Sequence, residues 1–197
     1  DRNTPLLAYV AWERIQAEFL RLLCCPGAER ILLDFPETVC QIVPELTPAV
    51  GFDQKNPHHC YDVYTHSVKA LGRVRPEPAL RLAALLHDVG KPACFSLDDQ
   101  GVGHFYGHEG ESARLAEQAT ARLRLDRRTP ERVVTLVARH GLQIEATPKV
   151  VRRWLQRLGP DLFFDLLELE RADGMACAPR PAPEPDHCAQ AEAMARE

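Results

Sequence analysis

Apolar residues recur at helical spacing along most of the chain. Between residues 11 and 25, Trp12, Ile15, Phe19, Leu22 and Leu23 fall on one face, with Glu13, Arg14, Glu18 and Arg21 between them. That spacing predicts an amphipathic helix behind a partly ordered lead-in over 1–10, stopped at Pro26-Gly27. Short helices follow at 28–34 and 37–43, punctuated by Pro36 and Pro44. The Pro- and Gly-containing stretch 44–60 reads as a long loop able to wall a site. A helix over 60–74 comes next, then one over 77–88 opened by Pro76 and Pro78. The second runs through Leu82-Ala83-Ala84-Leu85-Leu86 into adjacent His87 and Asp88, and Gly90-Lys91-Pro92 ends it.

After Pro92 the period changes. Ala93–Leu97 and Val102–Tyr106 flank Asp98-Asp99-Gln100-Gly101, a pattern that predicts a small β-hairpin. Helical spacing resumes over 108–125. Thr129-Pro130 and Thr147-Pro148 each look like a Thr cap before a first-turn proline. The helices they open are expected to end at His140-Gly141 and Leu158-Gly159, and Pro160 opens a last core helix ending near Met175. Residues 178–185 are proline-rich and extended, and 187–197 form a short helix that either docks or frays. The pattern predicts an all-α bundle with one small β-hairpin and no internal repeat.

Composition narrows this little. With 197 residues, 45% hydrophobic and 26% charged, the chain suits one large domain with or without a short appendage. A formal net charge of −4 speaks against nucleic-acid binding by the whole surface, though not by a local basic patch. Such patches exist: Lys149, Arg152, Arg153 and Arg157 share one helix face, and Arg122, Arg124, Arg127, Arg128 and Arg132 form a second group. Each reads as a phosphate-tracking surface or, more plainly, as a solvated helix face. No apolar run reaches the roughly 18–20 residues of a membrane span, and no signal peptide opens the chain. Seven cysteines without CxxC spacing read as reduced thiols in a cytoplasmic protein. An opening Asp rather than Met reads as a piece of something longer.

The candidate chemistry starts at His87-Asp88. A dipeptide recurs by chance, so other segments must supply donors for the same ion. His66 lies near the buried side of the helix through Val63, Tyr64, Val68 and Leu71. Asp173 closes the apolar stretch Leu166-Leu167-Glu168-Leu169-Glu170-Arg171-Ala172, where a carboxylate opposes the helix dipole and so suggests a specific use. Imidazole suits zinc, iron, nickel or cobalt, and carboxylate adds manganese and magnesium; the donors do not choose among them.

The order H…HD…D, each ligand on a helix, resembles the HD superfamily of metal-dependent phosphohydrolases. His108, in Gly107-His108-Glu109, and His140, before Gly141, resemble the additional histidines of its two-metal members. The resemblance implies one divalent ion on His66, His87, Asp88 and Asp173, and a second on His108 and His140 with Asp88 bridging. In this reading His87, Asp88 and Lys91 are the catalytic group, Lys91 holding a phosphate oxygen. The bland alternatives are a helix-start residue for His108, a dipole partner for His140 and a solvated charge for Lys91. His58, His59, His104 and His187 read as surface or structural residues.

Longer stretches are similar to the HD region of bacterial tRNA nucleotidyltransferases, the CCA-adding enzymes. These are Gln54–His59 through Asp62–His66, Arg81–Pro92, Gly103–Glu109, Arg152–Leu155 and Phe163–Leu167. By that resemblance 1–50 is a neck-like helical segment, 51–177 the HD domain and 178–197 a Pro-rich linker and tail. The Gly-Ser and Asp-x-Asp motifs of that family's nucleotidyltransferase head have no counterpart here, so nucleotidyl transfer by this chain alone is not expected. Two functions follow from the resemblance: a phosphohydrolase or phosphodiesterase acting on a nucleotide or RNA-end phosphoester, or a non-catalytic module that positions tRNA beside a head in the parent protein. A signalling or dimerisation module has no feature of its own in the sequence.

Overall fold

The computed structural model describes residues 3–57, 59–177 and 186–196. The proline-rich stretch 178–185 and His58 lie outside the described residues. Where a lead-in was expected, Thr4–Tyr9 forms a 3-10 helix, with the Thr4 hydroxyl 2.8 Å from that of Thr38. Helix α1 (Trp12–Cys24) buries Ile15, Phe19 and Leu23 and packs on the later helix over Pro78–Leu86. The short helices α2 (Ala28–Asp34) and α3 (Pro36–Ile42) follow, and the first part of the expected loop, Pro44–Ala49, is a 3-10 helix.

Helix α4 (Val63–Arg73) starts at Asp62, whose carboxylate accepts the Thr65 N–H at 2.6 Å. Helix α5 (Pro78–Leu86) is capped by Glu77, which accepts from Ala79 and Leu80, and all of its residues except Pro78 and Arg81 are buried. A helix apolar on nearly every side belongs at the centre of a bundle. It also ends earlier than its sequence suggests. His87 is the cap and Asp88 lies beyond it, where bonds from Val89 N to Leu86 O and from Lys91 N to Asp88 O tighten the chain into a three-residue pitch. Lys91–Cys94 continues as a 3-10 helix. Leaving the α-helix here turns Asp88 out of the apolar helix face.

Gly90 makes that turn compact. Its N–H donates to Ser112 Oγ at 2.9 Å, and a Cβ on it would meet Ser112 N at 2.6 Å and His108 O at 2.8 Å. Both are backbone of helix α6 (His108–Arg122), which cannot step aside alone. Gly90→Ala is therefore expected to lower stability by about 1–3 kcal/mol, the usual range for overpacking. Urea denaturation with an unchanged m-value would read this directly; a wild-type midpoint would mean that α6 yields freely.

The hairpin is shorter than its pattern suggests. Strand β1 (Ser96–Leu97) pairs antiparallel with β2 (Gly103–His104), Ser96 opposite His104 and Leu97 opposite Gly103. Ala93 and Cys94 belong to the preceding 3-10 helix. The hairpin is strapped to the 54–56 loop by Gly103 N to Lys55 O at 2.8 Å, so closely that a Cβ on Gly103 would lie 2.1 Å from Gln54 O.

Helix α6 ends three residues before the expected boundary, with Arg124 in the left-handed region. Helix α7 (Arg128–Arg139) corrects the cap assignment: Thr129 lies inside the helix, and Asp126 Oδ1 accepts the N–H groups of Arg128 and Thr129. Thr147 does sit at the cap position of helix α8 (Pro148–Leu158), but its side chain makes no capping bond. Helix α9 (Pro160–Ala176) packs on α4, α7 and α8. Helix α10 (His187–Arg196) docks on α8 and α9 through buried Cys188 and Ala191 rather than fraying. The described residues are thus a helical bundle with one two-stranded hairpin, as the residue pattern predicts. No helix among them is long and apolar enough to cross a membrane.

Candidate metal centre

The seven residues singled out in the sequence meet at one place. His66 comes from the middle of α4, His87 and Asp88 from the end of α5, Lys91 from the turn beyond, His108 from the first position of α6, His140 from the cap of α7, and Asp173 from the last turn of α9. Apolar packing of α5 against α4, α6, α7 and α9 brings those ends together.

Asp88 is the hinge of the arrangement. Its Oδ2 lies 3.4 Å from His66 Nε2 and 3.3 Å from His87 Nε2. Its Oδ1 lies 3.3 Å from His108 Nε2 and 3.4 Å from His140 Nε2. Asp173 Oδ1 closes the first group, 2.8 Å from His66 Nε2 and 3.4 Å from His87 Nε2. Two donor sets follow, His66, His87, Asp88 and Asp173 in one and Asp88, His108 and His140 in the other, sharing a single carboxylate.

The tautomers test whether these sets fit a cation. His87 Nδ1 faces Ala84 O at 2.8 Å, His108 Nδ1 faces Phe105 O at 2.8 Å, and His140 Nδ1 faces Val137 O at 2.7 Å. A carbonyl oxygen only accepts, so each Nδ1 carries its proton and each neutral ring presents a lone pair at Nε2. The Nε2 atoms lie close together: His108 and His140 Nε2 are 3.2 Å apart, His66 and His87 Nε2 3.3 Å. Lone pairs so close to carboxylate oxygens need positive charge between them, and a divalent ion supplies it. Asp88 Oδ2 is also buried without a hydrogen-bond partner; Lys91 Nζ approaches it to 2.7 Å but off hydrogen-bond angles. The residues fit.

Without an ion, protons on Nε2 supply that positive charge instead, and the electrostatics show how strongly the carboxylates draw it. Burial opposes charge on His87, but the Asp88 and Asp173 carboxylates prevail and push it up to about 10. Burial works against ionised Asp88 as well; Lys91 and His87 with hydrogen bonds from His108 and His140 hold it well below the usual carboxylate range. Asp173 is held low against the same burial, chiefly by hydrogen bonds from His66 and His87. A protein that keeps two carboxylates ionised in such a place has arranged it to attract positive charge.

Lys91 is not the solvated charge of its bland reading. It is 6% exposed, with Nζ 3.1 Å from Gln54 Oε1 and 5.2 Å from the Phe105 ring centre. His108 and His140 likewise face Asp88 rather than serving only a helix terminus. The centre opens into a cavity of about 420 Å³ whose far wall comes from the 52–60 loop and the hairpin, including Asn56, His59 and Tyr106. The expectation that this loop walls the site agrees with that geometry. A larger groove of about 670 Å³, between the Thr4–Tyr9 segment, α1 and α3, contains no comparable convergence of His and Asp.

Two residues beside the centre escaped the sequence reading. His59, taken there as surface or structural, sits edge-on to His66 at 5.5 Å between ring centres and lines the cavity. Burial, then the Lys91 charge, pushes it down to about 4, so the ring is neutral near pH 7. Gln54 is 2% exposed and ties Lys91 to Tyr61 O. The one signal that pointed to them was their place in the stretch leading into the His66 helix. His104 pairs with Asp98 at 2.9 Å, and His187 with Glu170 at 2.7 Å.

A helical bundle whose α4, α5 and α9 deliver His66, His87-Asp88 and Asp173 to one cavity has the layout that defines HD domains. The chain belongs to the HD domain family, whose model matches residues 58–185. Similar relatives include tRNA nucleotidyltransferases. It is 38% identical to an A-adding tRNA nucleotidyltransferase of Deinococcus radiodurans, over 88% of this chain and 41% of the relative. It is 36% identical to a CC-adding tRNA nucleotidyltransferase of Thermus thermophilus, over 86% of this chain and 40% of the relative. A multifunctional CCA protein of Legionella pneumophila is 31% identical, over 87% of this chain and 44% of its own length. The chain spans about two-fifths of the length of these curated relatives.

Proposed function

We propose that this domain is a metal-dependent phosphohydrolase or phosphodiesterase acting on a nucleotide or RNA-end phosphoester, within a tRNA nucleotidyltransferase-like protein. The observation that carries the reading is Asp88, with one oxygen turned to each pair of histidines. His66, His87, Asp88 and Asp173 would hold one divalent ion, and Asp88, His108 and His140 a second. Such ions supply an activated water near neutral pH and neutralise charge on a phosphoryl group. The chain's own residues do the rest. Backbone carbonyls lock His87, His108 and His140 in the tautomer that offers Nε2. Lys91 is a counter-charge to the Asp88 carboxylate and lines the cavity, where its ammonium would meet a phosphate oxygen. The 52–60 loop and the hairpin narrow the opening.

The test is phosphate release from nucleoside monophosphates, 2′,3′-cyclic nucleotides and an aryl phosphate. It is run with manganese, nickel, cobalt, zinc, iron and magnesium in turn, on wild type and Asp88→Ala. Turnover that needs both the metal and Asp88 supports the reading. Folded, metal-loaded protein inert towards every ester would move the assignment to RNA positioning.

A separate observation favours that second role, a tRNA-positioning module in a parent protein that carries the catalytic head. Lys149, Arg152, Arg153 and Arg157 on α8 are exposed, and none is in an ion pair among the described residues. Arg139 and Arg157 flank Trp154 at 5.7 and 5.3 Å from its ring centre. The other basic group is largely committed: Arg122 to Glu45, Arg124 to Glu13 and Arg132 to Asp165 and Glu77. Reversing Arg153 and Arg157 to Glu is expected to weaken tRNA binding and flatten the salt dependence by about 1–2 units of slope, as two lost phosphate contacts require. Filter binding between low and moderate salt measures it; an unchanged slope would leave α8 a solvated face.

A further inference from the structure

A second donor cluster lies at the junction of α9 and α10, built from three chemistries. Glu170 on α9 places Oε1 2.7 Å from His187 Nε2, and Cys188 Sγ lies 3.5 Å from that same nitrogen. The donor atoms of all three lie within 4.8 Å of one another. Cys188 is 2% exposed, and the Glu170 side chain 11%. Glu170 Oε2 is buried without a hydrogen-bond partner. None of these residues belongs to the His/Asp donor sets, beside which lies a different sulfur, Cys177 Sγ, within 4.8 Å of donor atoms of His59 and His66.

Two readings of Cys, His and Glu together are a nucleophile triad and a metal site. The thiol decides between them. Cys188 is buried, and its sulfur has no approach for a substrate. A nucleophilic cysteine needs a depressed pKa and access. Metal-site geometry is closer to hand. With zinc about 2.3 Å from sulfur and about 2.0–2.1 Å from nitrogen, a tetrahedral angle separates the two donors by about 3.5 Å, the spacing of Cys188 Sγ and His187 Nε2. The His187–Glu170 pair is closed as a hydrogen bond, and the half-exposed His187 ring has room to swing and open it.

We propose that Glu170, His187 and Cys188 bind a zinc-class divalent ion, with water in the fourth position on the exposed side of His187. Mixed sulfur, nitrogen and oxygen donors select a borderline-soft ion. The Glu170 oxygen left unpartnered in the buried junction gains a ligand. The ion would also link α10 to α9, stapling the last helix across the proline-rich stretch that precedes it.

Cobalt reads this site through the near-ultraviolet sulfur-to-cobalt charge-transfer band that only a thiolate gives, and Cys188→Ser tells this sulfur from Cys177 beside the His/Asp centre. The full chain is stripped with chelator and titrated with cobalt. The expected result is a band in wild type that persists in Asp88→Ala and disappears in Cys188→Ser. His187→Ala, a half-exposed position that leaves the core intact, is expected to weaken the cobalt affinity behind that band at least tenfold. Absence of the band in folded wild type would make the cluster a hydrogen-bond network only. A band that survives Cys188→Ser would place the thiolate elsewhere, and one indifferent to His187→Ala would remove the imidazole from the site. Each of these results overturns the proposal without touching the phosphohydrolase reading.

Discussion

Asp88→Ala is expected to leave less than one divalent ion per chain and to reduce phosphoester turnover by at least about 10²–10³-fold, the scale of losing one preorganised charged group in a catalytic site. The loss is large because Asp88 belongs to both donor sets. Its removal takes a carboxylate from each and leaves Lys91, 7% exposed in its side chain, without its counter-charge among imidazoles. A cation would then enter a place already positive. Asp88→Asn separates shape from charge: it keeps the volume and one acceptor oxygen but not the negative charge, and should bind metal more weakly than wild type and better than the Ala variant. Metal content by elemental analysis, on protein with a wild-type circular dichroism spectrum, checks both. Unchanged stoichiometry in Asp88→Ala would remove the shared-carboxylate site altogether.

Asp165→Ala is expected to be the most destabilising single change away from the centre. Asp165 is fully buried on α9 and pairs with two guanidinium groups, Arg75 after α4 and Arg132 on α7; the Arg132 Nε contact is 2.7 Å. Arg75 also pairs with Glu168. Breaking a buried pair by removing one partner typically costs about 3–5 kcal/mol. The lower end applies here, because Arg75 and Arg132 are 44% and 30% exposed and hydrate once released. About 3 kcal/mol in a chain of this size corresponds to a melting temperature lower by roughly 6–12 °C. Replacing all three residues by apolar ones should recover part of it, since the charges no longer have to be dehydrated. A melting temperature unchanged in Asp165→Ala would mean that the ion triad contributes nothing to the docking of α9.

How much of this was legible beforehand differs by element. Helices α2 and α8 have the predicted limits, and α9 ends one residue from the expected position, because proline and glycine punctuate all three. The end of α5 was read two residues too late. Nothing local distinguishes a helix that continues through His87-Asp88 from one that tightens at Leu86, and contact between Gly90 and the backbone of α6 accompanies the tighter turn. The Thr129 cap failed because Asp126, three residues earlier, accepts the N–H groups of Arg128 and Thr129 and so starts the helix before Thr129. The short hairpin was overextended because Phe105 and Tyr106 alternate like strand residues but lie past the last paired position.

The sequence by itself determined the bundle and singled out the candidate donors. Helical periodicity is local, and a His-Asp pair after five apolar residues is visible in one line of text. What it left open was geometry between distant segments. That Asp88 divides its two oxygens between two histidine pairs depends on α4, α6, α7 and α9 packing around α5, and no spacing within a segment encodes that. Ordering the two basic groups also required the fold: Arg122, Arg124 and Arg132 look as free as Arg152 and Arg153 until Glu45, Glu13 and Asp165 arrive beside them. So did the Glu170–His187–Cys188 junction, whose donors are separated by a proline-rich stretch and meet only because α10 buries Cys188 and Ala191 in the main core. Periodicity is written residue by residue; convergence of charge is a property of packing.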